Sequence, residues 1–261
     1  MGMPCSGVNG RLLLILFLAA LAGCASRPQD QIKAFWLPPS QDAWSKAPPD
    51  GFTLVHRDGS KRVVSEPVAR NVVAVKHKLE VASGVGADLG LVDMDSPNAF
   101  AFHQQGRPVI AFSLSWLDRL GQDVDALATT IGHELAHLYL GHTGAAREER
   151  EKTAQGASQV VGTALSLAGV PMGGAIANVG ATALARSFTR DEERAADDYG
   201  IRWAVAAGYD PCGRARTMKM YQDLSAGTVD IPFLSTHPGA AERSNLADAY
   251  SLRTNNRPCA D

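Results

Sequence analysis

The spacing His133-Glu134-x-x-His137 places three residues suited to metal chemistry within one short stretch of the sequence. Residues four apart project from the same face of a helix, so both imidazoles can bind one metal ion. Neutral imidazole is a common zinc ligand, and a glutamate beside the ion can accept a proton from water. The spacing therefore predicts a hydrolytic Zn2+ site, with His133 and His137 as ligands and Glu134 as the catalytic base.

The segment from Asp123 to Gly141 is predicted to be the helix that carries this motif, because Asp123 is a favourable N-cap and Gly141 a favourable stop. An apolar stripe recurs at helical spacing and consists of Val124, Leu127, Ala128, Ile131, Leu135 and Leu138. The two motif histidines lie roughly opposite this stripe, among small residues that would let another element approach closely. We expect His142, just beyond the helix, to be a helix-terminal residue rather than a third ligand.

A third ligand has to come from elsewhere, since a catalytic zinc usually has three protein ligands and one open position. Residues 190–208 are predicted to form a second helix with an acidic first turn. Glu193 has Asp197 four residues later on the same face, whereas Glu192 has only Ala196 there. Glu193 is therefore the predicted ligand. Asp197 is expected to accept the spare ring N–H of a ligand histidine, and Glu192 to complement the helix dipole.

Four ordered motifs resemble those of the gluzincin metallopeptidases, the family of the CaaX prenyl proteases, HtpX and the OMA-type proteases. They are Ser96-Pro97-Asn98-Ala99-Phe100-Ala101, His133-Glu134-x-x-His137, Arg190-x-x-Glu193-x-x-Ala196-Asp197, and Ser235-Thr236-His237-Pro238 followed by Arg243. The likeness extends over roughly residues 68–252 and is greatest to the periplasmic lipoprotein branch. It implies a zincin-like α+β fold and zinc endopeptidase activity.

The same resemblance implies a role for each motif residue. The ligand, base and supporting roles fall to His133, His137, Glu193, Glu134 and Asp197. His237 would act in catalysis near the metal, either by stabilising the oxyanion or by occupying the open zinc position in a resting state. Arg243 would support the site, with donation to the oxyanion as a second role. Arg107–Ser113 is expected to be a strand, and two interpretations stay open, a substrate-binding edge strand or a core strand.

The function that these motifs favour is peptide-bond hydrolysis by a membrane-anchored zinc endopeptidase. The resemblance alone suggests misfolded or unassembled cell-envelope proteins as its polypeptide substrates. An alternative is a non-proteolytic periplasmic chaperone or assembly scaffold whose structural zinc takes His237 as its fourth ligand. The intact Glu134 argues against that alternative, because a structural site needs no base. Hydrolysis of another amide, such as a cell-wall peptide, is a third interpretation.

The N-terminus predicts export and lipidation. An apolar run over residues 12–21 has the length of a signal peptide and is too short to span a bilayer comfortably. It ends in Leu21-Ala22-Gly23-Cys24, which resembles the bacterial lipobox, so residues 1–23 are the predicted signal peptide. Cys24 would carry acyl chains such as palmitate. No aspartate follows Cys24, so the periplasmic face of the outer membrane is the expected location.

The rest of the chain is predicted to be a tether over residues 24–51, rich in proline and polar residues, and a zinc metallopeptidase domain over residues 52–261. In an exported protein Cys212 and Cys259 are expected to form a disulfide, with two separate buried thiols as the alternative. Closing a loop of that length would stabilise the fold by about 4 kcal/mol in the chain-entropy model.

The predicted fold class is α+β, mainly helical, with a small sheet beside the active-site helix. A hairpin is predicted around Asp58-Gly59, and an amphipathic helix over residues 67–83. Short strands are expected near residues 89–93, 99–103 and 109–112. The uncharged segment 153–185 is compatible with core packing, a lid or a homo-oligomer interface. A net charge of −2 with mixed signs gives no indication of nucleic-acid binding.

Overall fold

The computed structural model describes residues 34–36, 50–56, 59–104, 106–144, 188–226, 233–234 and 237–259. Within these ranges the helices are α1 Glu66–Ser83, α2 Leu114–Leu120, α3 Val124–Tyr139, α4 Arg190–Ala206, α5 Cys212–Ser225 and α6 Ala240–Asn255. The strands are β1 Ala34–Trp36, β2 Phe52–Val55, β3 Lys61–Val64, β4 Asp88–Asp93, β5 Ala99–Gln104 and β6 Arg107–Ser113. The predicted α+β class with predominant helices is confirmed.

The larger sheet has the strand order β1-β4-β6-β5, in which only the β4–β6 pair is parallel. β6 lies between two strands, and Val109 to Ser113 are all buried. The edge-strand interpretation of Arg107–Ser113 is therefore wrong, and the core-strand alternative holds. Its apolar run favours a strand in either position, because local periodicity does not distinguish the centre of a sheet from its edge. Among the described strands, β5 forms the edge next to β6.

The N-terminal part of the described chain contributes to both sheets. Ala34–Trp36, within the predicted tether, pairs antiparallel with β4, so this stretch is a strand at the other edge of the larger sheet. β2 and β3 form the predicted hairpin, with Gly59 at a φ of 82° in its turn. The predicted signal peptide, Cys24 and the segment 153–185 lie outside the described residues.

The main hydrophobic core lies between the sheet and the helices. α1 buries the predicted stripe of Val68, Val72, Val75 and Leu79. Apolar residues of α3 join them in the same core, which also contains Trp116 from α2. Among the described helices, none combines the length and the apolar composition that a membrane span requires.

Helices α3 and α4 approach each other at Gly132 and Gly200. A Cβ atom built at Gly132 would lie 2.6 Å from the carbonyl oxygen of Gly200, and one at Gly200 would lie 2.5 Å from the backbone nitrogen of His133. The two backbones are therefore in direct contact. This contact brings the first half of α4, with Glu193 and Asp197, beside the motif on α3.

The N-terminal caps set where both helices begin. The Asp123 side chain accepts from the Ala126 N–H, as predicted for the start of α3. In α4 a capping box joins Thr189 and Glu192, whose side chain accepts from the Thr189 N–H at 2.9 Å. Glu192 is thus engaged at the helix end, whereas Glu193, the next residue, is buried.

Candidate metal centre

Four buried side chains bring potential ligand atoms within 4.8 Å of one another, and we call them the metal-ligand cluster. They are His133 and His137 from α3, Glu193 from α4, and His237 just before α6. The Nε2 atoms of His133 and His137 lie 3.0 Å apart. Oε1 of Glu193 lies 3.2 Å from Nε2 of His137 and 2.8 Å from Nδ1 of His237. Nδ1 of His237 is 3.4 Å from Nε2 of His133.

These donors fit a zinc ion. Ligand atoms at about 2.0–2.1 Å from one tetrahedral ion are roughly 3.3–3.5 Å apart, close to the separations in the cluster. Burial and the nearby Arg243 charge hold the pKa of His133 well below its usual value, and burial lowers the pKa of His137 to about 4. Both imidazoles are therefore neutral, as metal ligation requires.

The carboxylate of Glu193 is also in its ligating form. Burial alone would raise the pKa of Glu193, but the charges of His237 and Arg243 outweigh burial and hold it well below the usual range. His237 is affected in the opposite sense: burial opposes its charge, yet Glu193 raises the pKa of His237. The ring of His237 stacks on Phe233 with centroids 4.4 Å apart.

Asp197 lies behind His133, on the side away from the cluster. Its Oδ1 is 2.8 Å from Nδ1 of His133, which is the position expected for a carboxylate that orients a ligand. Arg243 donates to Asp197 from Nε at 2.6 Å and from Nη2 at 3.0 Å, and its Nη1 is 2.6 Å from Glu193. The guanidinium thus supports two carboxylates. Its Nη2 also lies 3.1 Å from Nε2 of His133, so the guanidinium contacts a predicted ligand as well.

Arg214 of α5 is a further charged residue that sequence reasoning missed. Its side chain is fully buried, and its Nη2 lies 2.5 Å from Oδ1 of Asp197. Asp197 therefore faces two guanidinium groups as well as His133. Burial nonetheless raises the pKa of Asp197 to about 6. Nothing in the local pattern around Arg214 distinguishes it from the half-buried Arg216, so only the packing of α5 identifies it.

His142 also contacts the site, although the sequence suggested only a helix-terminal role. Its Nδ1 lies 3.0 Å from Nδ1 of His137, and its backbone N–H donates to the carbonyl of His137. The Phe188 ring stacks on the His137 ring at a centroid distance of 3.9 Å. The backbone contact agrees with the predicted position at the helix end. The ring contact could not be inferred from helical geometry, because Gly141 turns the chain back at a φ of 66°.

Glu134 is completely buried within the same region of α3. Neither of its carboxylate oxygens has a hydrogen-bond partner among the described residues. Burial raises the pKa of Glu134 to about 7. A buried carboxylate without a partner is costly, so its position indicates a role other than stabilising the fold.

The remaining predicted site residues do not belong to the metal-ligand cluster or lie outside the described ranges. Cys212 and Cys259 are joined by a disulfide, which links the start of α5 to the segment after α6. Cys24, Ser235 and Thr236 lie outside the described residues.

Comparisons with known proteins agree with this site. A family model described as peptidase family M48 matches residues 69–251. The Beta-barrel assembly-enhancing protease of Escherichia coli (strain K12) is 31% identical over 177 residues, which cover 64% of this chain and 34% of that protein. The protein of the same name from Yersinia pestis is 31% identical over 174 residues, covering 64% and 35%.

A third relative, Metalloprotease LoiP of Escherichia coli (strain K12), is 29% identical over 117 residues, which cover 44% of each chain. The chain spans only about a third of the length of the assembly-enhancing proteases that it matches. The family match, however, covers more than half of the sequence and includes the whole metal-ligand cluster. The chain belongs to peptidase family M48, which confirms the resemblance to the gluzincin metallopeptidases.

Proposed function

We propose that this protein is a zinc-dependent endopeptidase. The observation that carries the proposal is the buried carboxylate of Glu134, which has no partner among the described residues and follows a member of the metal-ligand cluster directly. His133, His137 and Glu193 would hold the ion. A bound zinc ion would polarise the scissile carbonyl and lower the pKa of a water molecule at the site.

Side chains of the protein would then transfer the protons and orient the ligands. Glu134 would accept a proton from the attacking water and deliver it to the leaving amine. Asp197 would accept the Nδ1 hydrogen of His133 and so fix the tautomer in which Nε2 faces the ion. Arg243 would hold Asp197 and Glu193 in their ionised forms, so that one guanidinium positions a ligand, Glu193, and the carboxylate that orients another ligand, His133.

His237 would occupy the fourth position around the ion in a resting arrangement. The distances of its Nδ1 from Glu193 and His133 support this role, because they are close to the separations among the other donors. Binding the ion would require neutral His237 to give up the hydrogen that its Nδ1 shares with Glu193. A scissile carbonyl would need that position, so His237 would have to move aside before catalysis. The side chain would then be close enough to donate to the developing oxyanion.

A non-proteolytic chaperone or assembly scaffold is the alternative that this fourth donor favours. Structural zinc sites are closed by four protein ligands, and the cluster offers four. Glu134 argues for the peptidase, since a closed structural site gains nothing from an unpaired buried carboxylate. Another amide substrate, such as a cell-wall peptide, would use the same groups and is tested by choice of substrate.

The test compares cleavage of an unfolded protein by the wild type, Glu134→Gln, His237→Ala and the double variant, with zinc content measured in each. We expect Glu134→Gln to retain zinc and to lose at least about 1,000-fold of the activity, because the base is removed while the ligands remain. His237→Ala opens the fourth position and reveals activity hidden by a closed resting state. Zinc-loaded wild type and His237→Ala without cleavage would support the scaffold instead.

We further propose that the protein is anchored by lipid at Cys24 to the periplasmic face of the outer membrane and acts on misfolded or unassembled envelope proteins. The lipobox-like sequence supports the anchor, and the likeness to the Beta-barrel assembly-enhancing proteases supports the substrate class. Two measurements on wild type and Cys24→Ala test the anchor: membrane fractionation, and metabolic labelling with a palmitate analogue. We expect the label and the membrane association to be lost together, and an unlabelled wild type would exclude the anchor.

A further inference from the structure

His142 approaches the metal-ligand cluster from behind His137. Nε2 of His137 faces the cluster, so its other ring nitrogen, Nδ1, points away from the ligands. Nδ1 of His142 lies 3.0 Å from that atom, and both side chains are buried. Asp197 approaches His133 in the same way. Nδ1 of His133 also lies 3.3 Å from Nη2 of Arg243. Each predicted ligand histidine therefore has a partner on the nitrogen that does not face the cluster.

The protons of this histidine pair follow from coordination chemistry. A nitrogen that binds zinc carries no hydrogen, so a neutral His137 bound through Nε2 has its one ring hydrogen on Nδ1. Two Nδ1 atoms at hydrogen-bonding distance require one donor and one acceptor. Because His137 has to donate, Nδ1 of His142 accepts, and the ring hydrogen of His142 is on Nε2.

We propose that His142 is a positioning residue, which accepts the Nδ1 hydrogen of His137 and holds that ring so that Nε2 faces the metal. Its role rests on the proposed zinc site, since zinc at Nε2 determines where the His137 hydrogen lies. A neutral imidazole would do at His137 what the Asp197 carboxylate does at His133. The two ligands would therefore be oriented by partners of different charge.

The backbone around His142 is built to keep this contact. Gly141, at a φ of 66°, reverses the chain after α3, and the N–H of His142 then donates to the carbonyl of His137 at 2.9 Å. Strand β5 contacts the other side of the turn through His103. The hydroxyl of Thr143 lies 3.3 Å from Nδ1 of His103, and a Cβ built at Gly144 would lie 2.6 Å from the same atom.

The experiment uses the full-length protein, stripped of metal, and measures its zinc dissociation constant by competition with a chelator. His142→Phe keeps the ring and removes the acceptor, whereas His142→Asn places an amide oxygen near the position of Nδ1. We expect the Phe variant to bind zinc about 10–100-fold more weakly, the range found when groups that orient metal ligands are removed. We expect the Asn variant to remain within about threefold of the wild type.

Two further readouts separate this role from a structural one. The visible absorption of the cobalt-substituted protein should change in the Phe variant and be restored in the Asn variant, while thermal unfolding of the metal-free proteins reports on the fold. His77→Phe, at an exposed position of α1, is the matched control. Phe and Asn variants that bind zinc equally well, or equally poorly, would overturn the proposal. A wild type without zinc binding would instead contradict the proposed function.

Discussion

Asp197 connects the buried charges that surround the metal-ligand cluster. Its two oxygens contact His133, Arg243 and Arg214, and all four side chains are almost completely buried. Arg243 has Glu193 as a second partner, whereas Asp197 is the ion-pair partner that the described residues provide for Arg214. Removing the charge of Asp197 would therefore leave one guanidinium buried without compensation.

We expect Asp197→Asn to lower the free energy of unfolding of the metal-free protein by about 3–5 kcal/mol, the cost of breaking a buried ion pair from one side. Asp198→Asn is the matched control, because the adjacent carboxylate is 43% exposed and pairs with Arg202 on the surface, and because the amide oxygen of asparagine can still accept from the Tyr250 hydroxyl. Its cost should stay below about 1 kcal/mol. Urea denaturation measures both, and equal effects would show that Arg214 does not depend on Asp197.

Part of the site could be predicted from residue spacing alone. The distinction between Glu193 and Glu192 came from the carboxylate four residues later, and the structure places Glu193 in the cluster and Glu192 in the capping box. Arg214 and the ring contact of His142 could not be predicted in this way. Both depend on contacts between segments that are distant in sequence or brought back by a turn. Such contacts produce no periodic pattern in the local sequence.

At the scale of elements, the contact between α3 and α4 determines whether the ligands meet. Gly132 and Gly200 allow the two backbones to touch, and Glu193 lies two helical turns before Gly200. Small residues on the histidine face of α3 predicted a close approach. They did not identify which helix approaches, because that pairing joins segments far apart in sequence.

Gly200→Ala should push α4 away from α3, since its Cβ would meet backbone atoms that cannot rotate aside. We expect a loss of about 3 kcal/mol in unfolding free energy, at the upper end for overpacking, together with weaker zinc binding. Gly86→Ala is the control, because its nearest neighbour would be a side-chain atom 3.9 Å away. It should remain within about 1 kcal/mol of the wild type. A Gly200→Ala variant with unchanged stability and zinc affinity would contradict the close contact.

For the whole molecule, the helices and strands near the site were predictable from local periodicity, and their order in space was not. The strand at Arg107–Ser113 was correctly located, but the choice between an edge and a core strand stayed open, because strand order depends on pairings between β4, β5 and β6 that no local pattern encodes. For Cys212 and Cys259 the pairing could be predicted from the sequence, but the geometry of the bridge could not. Two cysteines in a chain expected to be exported suggested a bridge, and the packing of the segment after α6 against α5 provides its geometry.

In the proposed site, α3 and α4 supply the ligands of one zinc ion. Zinc content and zinc affinity of purified wild type, Glu193→Gln and Glu192→Gln test this arrangement, because the two variants make the same change at adjacent residues. We expect one zinc ion per chain in the wild type and in Glu192→Gln. In Glu193→Gln we expect affinity to fall by more than the roughly 10–100-fold that changes behind a ligand cost. Wild-type affinity in Glu193→Gln, or its loss in Glu192→Gln alone, would contradict the account.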